Sequence, residues 1–259
     1  MKRLFLCVLF LTSPALAQKP DYRGEVKTHS TSRKGVKAVP IPPKYHVQNE
    51  GGSDGAGLCV ISSLIQNGQY QGVPATRGGK NSPLWRYAKA RPGGYGPDKL
   101  RAAVDAVAPK EGFASYVGTN TAVLEKITVD RKTPVGATMN TGGLYNYAPI
   151  HHMISLLHFS RKDGTACVMD NNDQITRDER GKLRAVYRWM PANEFARRWI
   201  DGGIGWAWVW TRHARKAVED SAEVAGAALA IAVAFAILVV TRSHRNAHAE
   251  PETFSIEEL

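Results

Sequence analysis

The sequence predicts an α+β fold in which N-terminal helices pack on an antiparallel β-sheet, followed by one C-terminal transmembrane helix. Two observations concern the globular part, residues 46–212: helical apolar spacing dominates its first half, and short β-like runs dominate its second. Helices first and strands afterwards are typical of an α+β domain. The third observation is an uncharged apolar run at 224–241, which is long enough to cross a bilayer.

The N-terminus carries the three-part pattern of a secretory signal over residues 1–17. Lys2 and Arg3 precede an apolar run, and Ala-Leu-Ala at 15–17 forms an A-x-A cleavage site. We therefore expect the chain to leave the cytosol and the mature protein to begin near Gln18.

The next segment is basic and poor in apolar residues. Residues 18–47 carry seven Lys or Arg against two acidic residues, within a chain of formal net charge +11. Together with its Pro, Ser and Thr, this composition predicts a flexible tether over residues 18–45. Binding of residues 18–47 to an anionic surface, such as cell-wall polymers or lipid headgroups, is the alternative. Because the charge has this distribution, we expect no specific nucleic-acid partner.

Three helices are predicted in the first half of the domain. The first begins around residues 57–59. Its apolar face consists of Leu58, Ile61, Leu64 and Ile65. The second, PDKLRAAVDAVA, begins at Pro97 and Asp98 and ends before Pro109, since proline fits the first helical turn but not its interior. The third is NTAVLEKITV.

The second half of the domain reads as strands. The β-like runs are TPVGATM, HMISLLHF, ACVMD, AVYRWM and GWAWVWT. Gly and Asn/Asp clusters separate several of them, as hairpin turns require. One short helix, MPANEFARRW, is predicted before the last strand.

The apolar run at 224–241 predicts a single membrane span. Arg242 and Arg245 follow it directly, and the positive-inside bias puts the C-terminus in the cytoplasm. We therefore expect a juxtamembrane linker at 213–223, a cytoplasmic tail at 242–259 and an exported domain, either periplasmic or extracellular. A buried Ala-rich core helix is the alternative for the run.

Cys59 stands where a glycine-rich segment meets the first helix, in the stretch GGSDGAGLCVISSLIQ. A helix N-terminus stabilises a thiolate and lowers the thiol pKa below the free value of about 8.5. Glycine also permits close approach of a substrate. The pattern therefore predicts a nucleophilic cysteine. A buried structural thiol and a disulfide to Cys167 are the alternatives.

A nucleophilic thiolate needs a histidine and a third group that orients the imidazole. Of the eight histidines, five lie in or beside the tether, next to the predicted membrane span or beyond it. His151, His152 and His158 remain, all on one predicted strand. The next strand ends in Asp-Asn-Asn-Asp at 170–173, where a turn would place a side-chain oxygen beside the paired strand.

This order of residues resembles the papain-like cysteine peptidase superfamily, and most closely its bacterial branch that includes double-glycine leader peptidases. The sequence FARRW is similar to a late helix of that branch, and the resemblance covers roughly residues 46–210. It implies a papain-like fold with Cys59 as nucleophile and His152 as general base. The papain pattern implies Asn171 as the third member, whereas the leader-peptidase pattern implies Asp170.

The oxyanion donor departs from the family pattern. Papain-like enzymes carry a Gln about six residues before the cysteine, whose amide stabilises the oxyanion. Here Ser53 occupies that position, and Gln48 lies eleven residues before Cys59. The resemblance carries the oxyanion role to Gln48 across the glycine-rich segment. Backbone N–H groups, including that of Cys59, are the alternative donors.

Together with the predicted topology, the resemblance implies a membrane-anchored, externally facing cysteine peptidase that hydrolyses a peptide or amide bond in a peptide or protein substrate. No cofactor is expected, because the chain has no phosphate-loop, dinucleotide or zinc-site spacing. Two alternatives stay open. One is a cell-wall peptide amidase or endopeptidase of the same superfamily, and the other is a catalytically inactive binding module tethered to the membrane.

Overall fold

The structure, a computed structural model, describes residues 24–50, 57–140, 151–201 and 204–211. The strands are β1 (Val26–Thr28), β2 (Ser32–Arg33), β3 (Val36–Lys37), β4 (Phe113–Gly118), β5 (Val135–Asn140), β6 (His151–Ser160), β7 (Thr165–Met169), β8 (Thr176–Arg177), β9 (Leu183–Arg184), β10 (Tyr187–Pro191) and β11 (Gly205–Trp210). Seven of them form one sheet in the order β1-β10-β7-β6-β5-β11-β4, and every neighbouring pair is antiparallel. The pairs β2–β3 and β8–β9 form small separate hairpins.

Five α-helices accompany the sheet in the described residues. They are α1 (Leu58–Gln71), α2 (Pro83–Lys89), α3 (Pro97–Val107), α4 (Ala122–Glu125) and α5 (Ala192–Trp199). A π-helical turn at Lys126–Asp130 continues α4. Pro occupies the first turn of both α2 and α3, where a missing N–H costs nothing, and the Ser82 hydroxyl caps α2 by accepting from the Trp85 amide at 3.2 Å.

The helices cover both faces of the sheet because residues along a strand alternate in direction. On β6, Met153 belongs to the apolar cluster that contains the buried faces of α1, α2 and α3. Ile154, its neighbour, belongs to a second cluster that includes Phe195 of α5. The α+β class and the packing of helices on an antiparallel sheet are therefore confirmed.

Most of the individual elements are also confirmed. The five β-like runs form β5, β6, β7, β10 and β11, and the predicted helices form α1, α3, α4 and α5. The third predicted helix is shorter than expected, because regular α-helical hydrogen bonding ends at Glu125. The elements that were not predicted are α2, β4, β8, β9 and the strands before residue 46.

The prediction of a flexible tether over residues 18–45 is wrong for residues 24–45. Strand β1 pairs with β10 at one edge of the main sheet. Farther along, the Val39 amide donates to the Leu157 carbonyl at 3.0 Å, and Ile41 is fully buried. The Tyr187 hydroxyl donates to the Ile41 carbonyl at 2.7 Å. Isolated apolar residues thus fix this Pro-containing segment to the sheet, so the folded domain begins before residue 46.

Several predicted segments lie outside the described residues. They are the signal peptide 1–17, the start of the tether at 18–23, the juxtamembrane linker 213–223, the membrane span 224–241 and the cytoplasmic tail 242–259. Among the helices of the described ranges, none is both long enough and apolar enough to cross a membrane.

Candidate active site

The candidate site forms where α1, β6 and the end of β7 meet. Cys59 lies in the first turn of α1, His152 is the second residue of β6, and Asp170 directly follows β7. Because β6 and β7 are antiparallel neighbours, the start of β6 and the end of β7 reach the same end of the sheet. Helix α1 packs on β6 and brings its N-terminus to that end.

His152 and Asp170 form a buried hydrogen-bonded pair. The His152 Nε2 atom lies 2.8 Å from Asp170 Oδ1, and both side chains are almost completely buried. The same Asp170 oxygen accepts a hydrogen bond from the Asn172 amide at 2.8 Å, which fixes the carboxylate. The Cys59 thiol is the other group that interacts with His152, and since Nε2 is engaged by Asp170, Nδ1 is the ring nitrogen left for the sulfur.

The charges of the site favour a thiolate beside an imidazolium. Burial opposes ionisation of Cys59, but the hydrogen bond and charge of His152, together with the amides of Met153 and Val60, hold the pKa of the thiol below its usual value. Burial likewise opposes protonation of His152, yet the charge and hydrogen bond of Asp170 raise the pKa of the imidazole well above its usual value. Both shifts therefore favour the thiolate–imidazolium pair over the neutral pair.

Asp170 remains ionised despite its burial. Burial alone would raise the pKa of this carboxyl group, but the His152 imidazolium, the charge of Arg188 and the Asn172 amide together lower the pKa to about 2. A buried carboxylate of this kind stabilises a neighbouring imidazolium and fixes the orientation of its ring.

Asn171 has a different set of partners from Asp170. Its Nδ2 atom lies 2.9 Å from the Cys59 carbonyl, 2.8 Å from Ser63 Oγ and 2.9 Å from the Met153 carbonyl. These contacts join the first turns of α1 to the start of β6. Asn171 thus lies between the helix that carries the thiol and the strand that carries the imidazole.

The buried face of α1 carries a polar stripe that the sequence analysis missed. Ser63 Oγ donates to the Met153 carbonyl at 3.2 Å, and Gln66 Nε2 donates to Ser155 Oγ at 2.8 Å. Cys59 precedes Ser63 by four residues, and Ser63 precedes Gln66 by three. This spacing places the three side chains on one face of the helix. That spacing of polar residues was the available sequence signal. The stripe fixes the register of α1 against β6.

The segment before the glycine-rich stretch also borders the site. His46 Nε2 lies 3.1 Å from the Asp170 carbonyl, and burial lowers the pKa of this imidazole. The backbone N–H of Asn49 donates to the backbone carbonyl of Asn171 at 2.7 Å. His46 was not among the catalytic candidates of the sequence analysis, because it directly follows the predicted tether. As for residues 24–45, apolar contacts outside any periodic pattern fix the segment.

Gln48 is exposed on this segment, and its side chain makes no hydrogen bond to another described residue. Its oxyanion role stays a prediction. Helix α1 begins at Leu58, so the Cys59 amide is among the first-turn N–H groups that lack an acceptor one turn earlier within the helix. That amide offers a donor at the thiol itself.

The other candidates have separate environments. His158 lies farther along β6, where its Nε2 atom pairs with Asp163 Oδ2 at 2.9 Å. His151 precedes His152 on β6, and its side chain lies outside the described parts of the chain. Cys167 is completely buried on β7, and burial raises the pKa of its thiol strongly. Cys59 and Cys167 are both free thiols, so the disulfide alternative is wrong.

The arrangement combines a thiol, an imidazole and a carboxylate, which are the types of group that nucleophilic acyl transfer requires. Within the described ranges, no group of three or more His, Cys, Asp or Glu side chains is placed to hold a metal ion. Comparison with protein-family models and with curated proteins gives no match to this chain.

Proposed function

We propose that this protein is a papain-like cysteine peptidase, anchored in a membrane with its catalytic domain outside, that hydrolyses a peptide or amide bond. The observation that carries the proposal is the continuous set of contacts from the Cys59 thiol through the His152 imidazole to the Asp170 carboxylate. A structural cysteine needs none of these partners, and Cys167 has no comparable set among the described residues.

The reaction would proceed in two stages. The Cys59 thiolate attacks the carbonyl carbon of the substrate, forming a carbon–sulfur bond and a tetrahedral oxyanion. The carbon–nitrogen bond then breaks as His152 gives its proton to the leaving amine, which leaves a thioester on Cys59. Water attacks the thioester while His152 takes its proton. The carbon–sulfur bond breaks, the carboxylic acid product departs and loses its proton to solvent, and the thiolate–imidazolium pair is restored.

We assign Asp170 rather than Asn171 as the residue that orients His152. The Asp170 carboxylate lies 2.8 Å from the imidazole, whereas the Asn171 side-chain amide contacts the carbonyls of Cys59 and Met153 and the hydroxyl of Ser63. The Asn171 side chain then holds α1 and β6 at a fixed separation.

Peptide cleavage by the full-length protein tests the proposal. Membranes or detergent-solubilised protein would be incubated with a mixed peptide library, and new peptide termini would be identified by mass spectrometry. We expect cleavage by the wild type and by Cys167→Ser, and none by Cys59→Ser, because only Cys59 has the imidazole partner. Cleavage that survives Cys59→Ser, or a folded wild type that cleaves no peptide, would contradict peptidase activity.

A further inference from the structure

A buried network of three charged side chains lies behind the candidate site. Arg188 on β10 has a side chain only 1% exposed. Its Nε and one terminal nitrogen contact the two carboxylate oxygens of Asp173 at 2.7 and 2.6 Å, while the other terminal nitrogen contacts Glu25 at 2.6 Å. Glu25, which directly precedes β1, also has a side chain 1% exposed. This is a bidentate carboxylate pair with a second carboxylate attached.

The network is joined to the turn that carries Asp170. The Asp173 amide donates to the Asp170 carbonyl at 3.1 Å, so Asp173 closes that turn. Arg188 reaches this turn from the strand beside β7, because β10 pairs with β7 and places Arg188 opposite Val168. A shift of the Arg188 guanidinium group would therefore move this turn. The Asp170 carboxylate, which contacts His152, would move with it.

Arg188 also acts on Asp170 through its charge. Asp170 Oδ2 is buried and has no hydrogen-bond partner in the described part of the chain. His152 is the main stabiliser of the carboxylate, and the positive charge of Arg188 adds to the lowering of its pKa. Burying three charges is costly, and apolar replacements of such networks are often as stable or more stable. Stability alone is therefore a weak explanation for the network.

We propose that Arg188 is a positioning residue that holds the Asp170 turn in the geometry His152 needs, and that Glu25 completes its anchorage. The proposal rests on the proposed function of the site. It makes the N-terminal strand β1, which the sequence predicted as part of a tether, a component of the active-site framework. Loss of this strand would then impair the thiolate–imidazolium pair without touching any of its members.

The test measures the titration of both catalytic groups in the full-length protein. The Cys59 midpoint comes from the pH dependence of its alkylation by iodoacetamide, and the His152 midpoint from NMR of labelled imidazole. The variants are Arg188→Met, Arg188→Lys and Glu25→Gln. Lys27→Met is the matched control, because Lys27 lies on β1, is 43% exposed and approaches Glu25 only at 3.7 Å. Thermal unfolding of each variant establishes that it is folded.

In Arg188→Met we expect the His152 midpoint to fall and the Cys59 midpoint to rise, each by about one pH unit or more, because the imidazolium loses a well-placed carboxylate. Alkylation of Cys59 below its midpoint then slows about tenfold for each unit of that rise. Loss of the Arg188 charge alone would instead raise both midpoints, since a positive charge lowers the pKa of every neighbouring group. Arg188→Lys and Glu25→Gln should shift both midpoints in the same directions as Arg188→Met but less, and Lys27→Met should shift neither.

The possible outcomes separate this proposal from the proposed function. A wild-type Cys59 midpoint at the ordinary thiol value would overturn both. A low wild-type midpoint, combined with unchanged midpoints or a rise of both midpoints in the folded variants, would overturn the positioning role alone. If Arg188→Met does not fold, the two milder variants decide by the same criterion.

Discussion

At the residue scale, Asp170 and Asn171 are neighbours in the chain with separate structural tasks. The Asp170 carboxylate contacts the imidazole of His152, whereas the Asn171 amide joins α1 to β6. Because the two side chains contact different groups, a substitution of Asp170 should affect the rate and a substitution of Asn171 the stability.

We expect Asp170→Asn to lower kcat by about a thousandfold or more while the protein stays folded, because the amide cannot stabilise the imidazolium and favours the wrong ring tautomer. Steady-state cleavage rates measure the loss, and circular dichroism checks the fold. Asp178→Asn is the control, since Asp178 lies on the exposed turn between β8 and β9 and pairs with Arg184. Equal losses in both variants would contradict the assignment.

Asn171→Ala should lower the free energy of unfolding by about 1–3 kcal/mol, because it leaves buried acceptors at the Cys59 and Met153 carbonyls without this donor. Denaturant unfolding measures the change. We expect the rate to fall less than in Asp170→Asn. A variant as stable as the wild type but inactive would show that Asn171, not Asp170, orients His152.

At the element scale, the start of α1 depends on Gly57. Its φ is +78°, and a Cβ atom there would lie 2.6 Å from the Tyr95 nitrogen and 2.7 Å from the Gly94 Cα. Gly72 ends the same helix with the same φ of +78°, but no atom lies within 4 Å of its added Cβ. Substitution of either glycine would therefore strain the backbone. Only at Gly57 would the new side chain also clash with neighbouring atoms.

Gly72→Ala should lower the free energy of unfolding by about 1–2 kcal/mol, because alanine is strained in the left-handed backbone conformation. Gly57→Ala should cost more, since the backbone of the 93–95 loop must move as well, and it should slow alkylation of Cys59 by displacing the first turn of α1. Chemical denaturation and iodoacetamide kinetics measure the two effects. Equal behaviour of the variants in both measurements would show that the loop contact does not hold the cysteine in place.

The elements that the sequence predicted are those with a clear period or a terminal signal. Helix α3 has Pro97 at its start, and β6 and β11 are long apolar runs. Helix α2 was missed because its seven residues are too few to establish a period. Strand β1 was missed because its three residues lie at a sheet edge and are mostly exposed, so they show no apolar alternation.

At the scale of the whole molecule, the sequence predicted one member of the candidate site from a local signal, the helix start at Cys59. The resemblance to papain-like peptidases singled out His152 among the three histidines of one predicted strand. The sequence left Asp170 and Asn171 open, because the choice depends on how the chain leaves β7. It gave no signal for Arg188, whose burial follows from the pairing of β10 with β7 and from Glu25, which is 163 residues away in the chain. Long-range ion pairs have no local pattern.

The central claim is that Cys59 is a thiolate paired with His152, and the pH dependence of cysteine alkylation in the full-length protein tests it most directly. Mass spectrometry would follow iodoacetamide labelling of Cys59 and of Cys167, the internal control. Because its pKa is lowered, Cys59 should react with a midpoint well below the free-thiol value of about 8.5, and His152→Ala should move that midpoint upward. Cys167, whose pKa burial raises, should stay unlabelled until the protein unfolds. A Cys59 midpoint at the free-thiol value, or labelling of Cys59 only after denaturation, would contradict the claim.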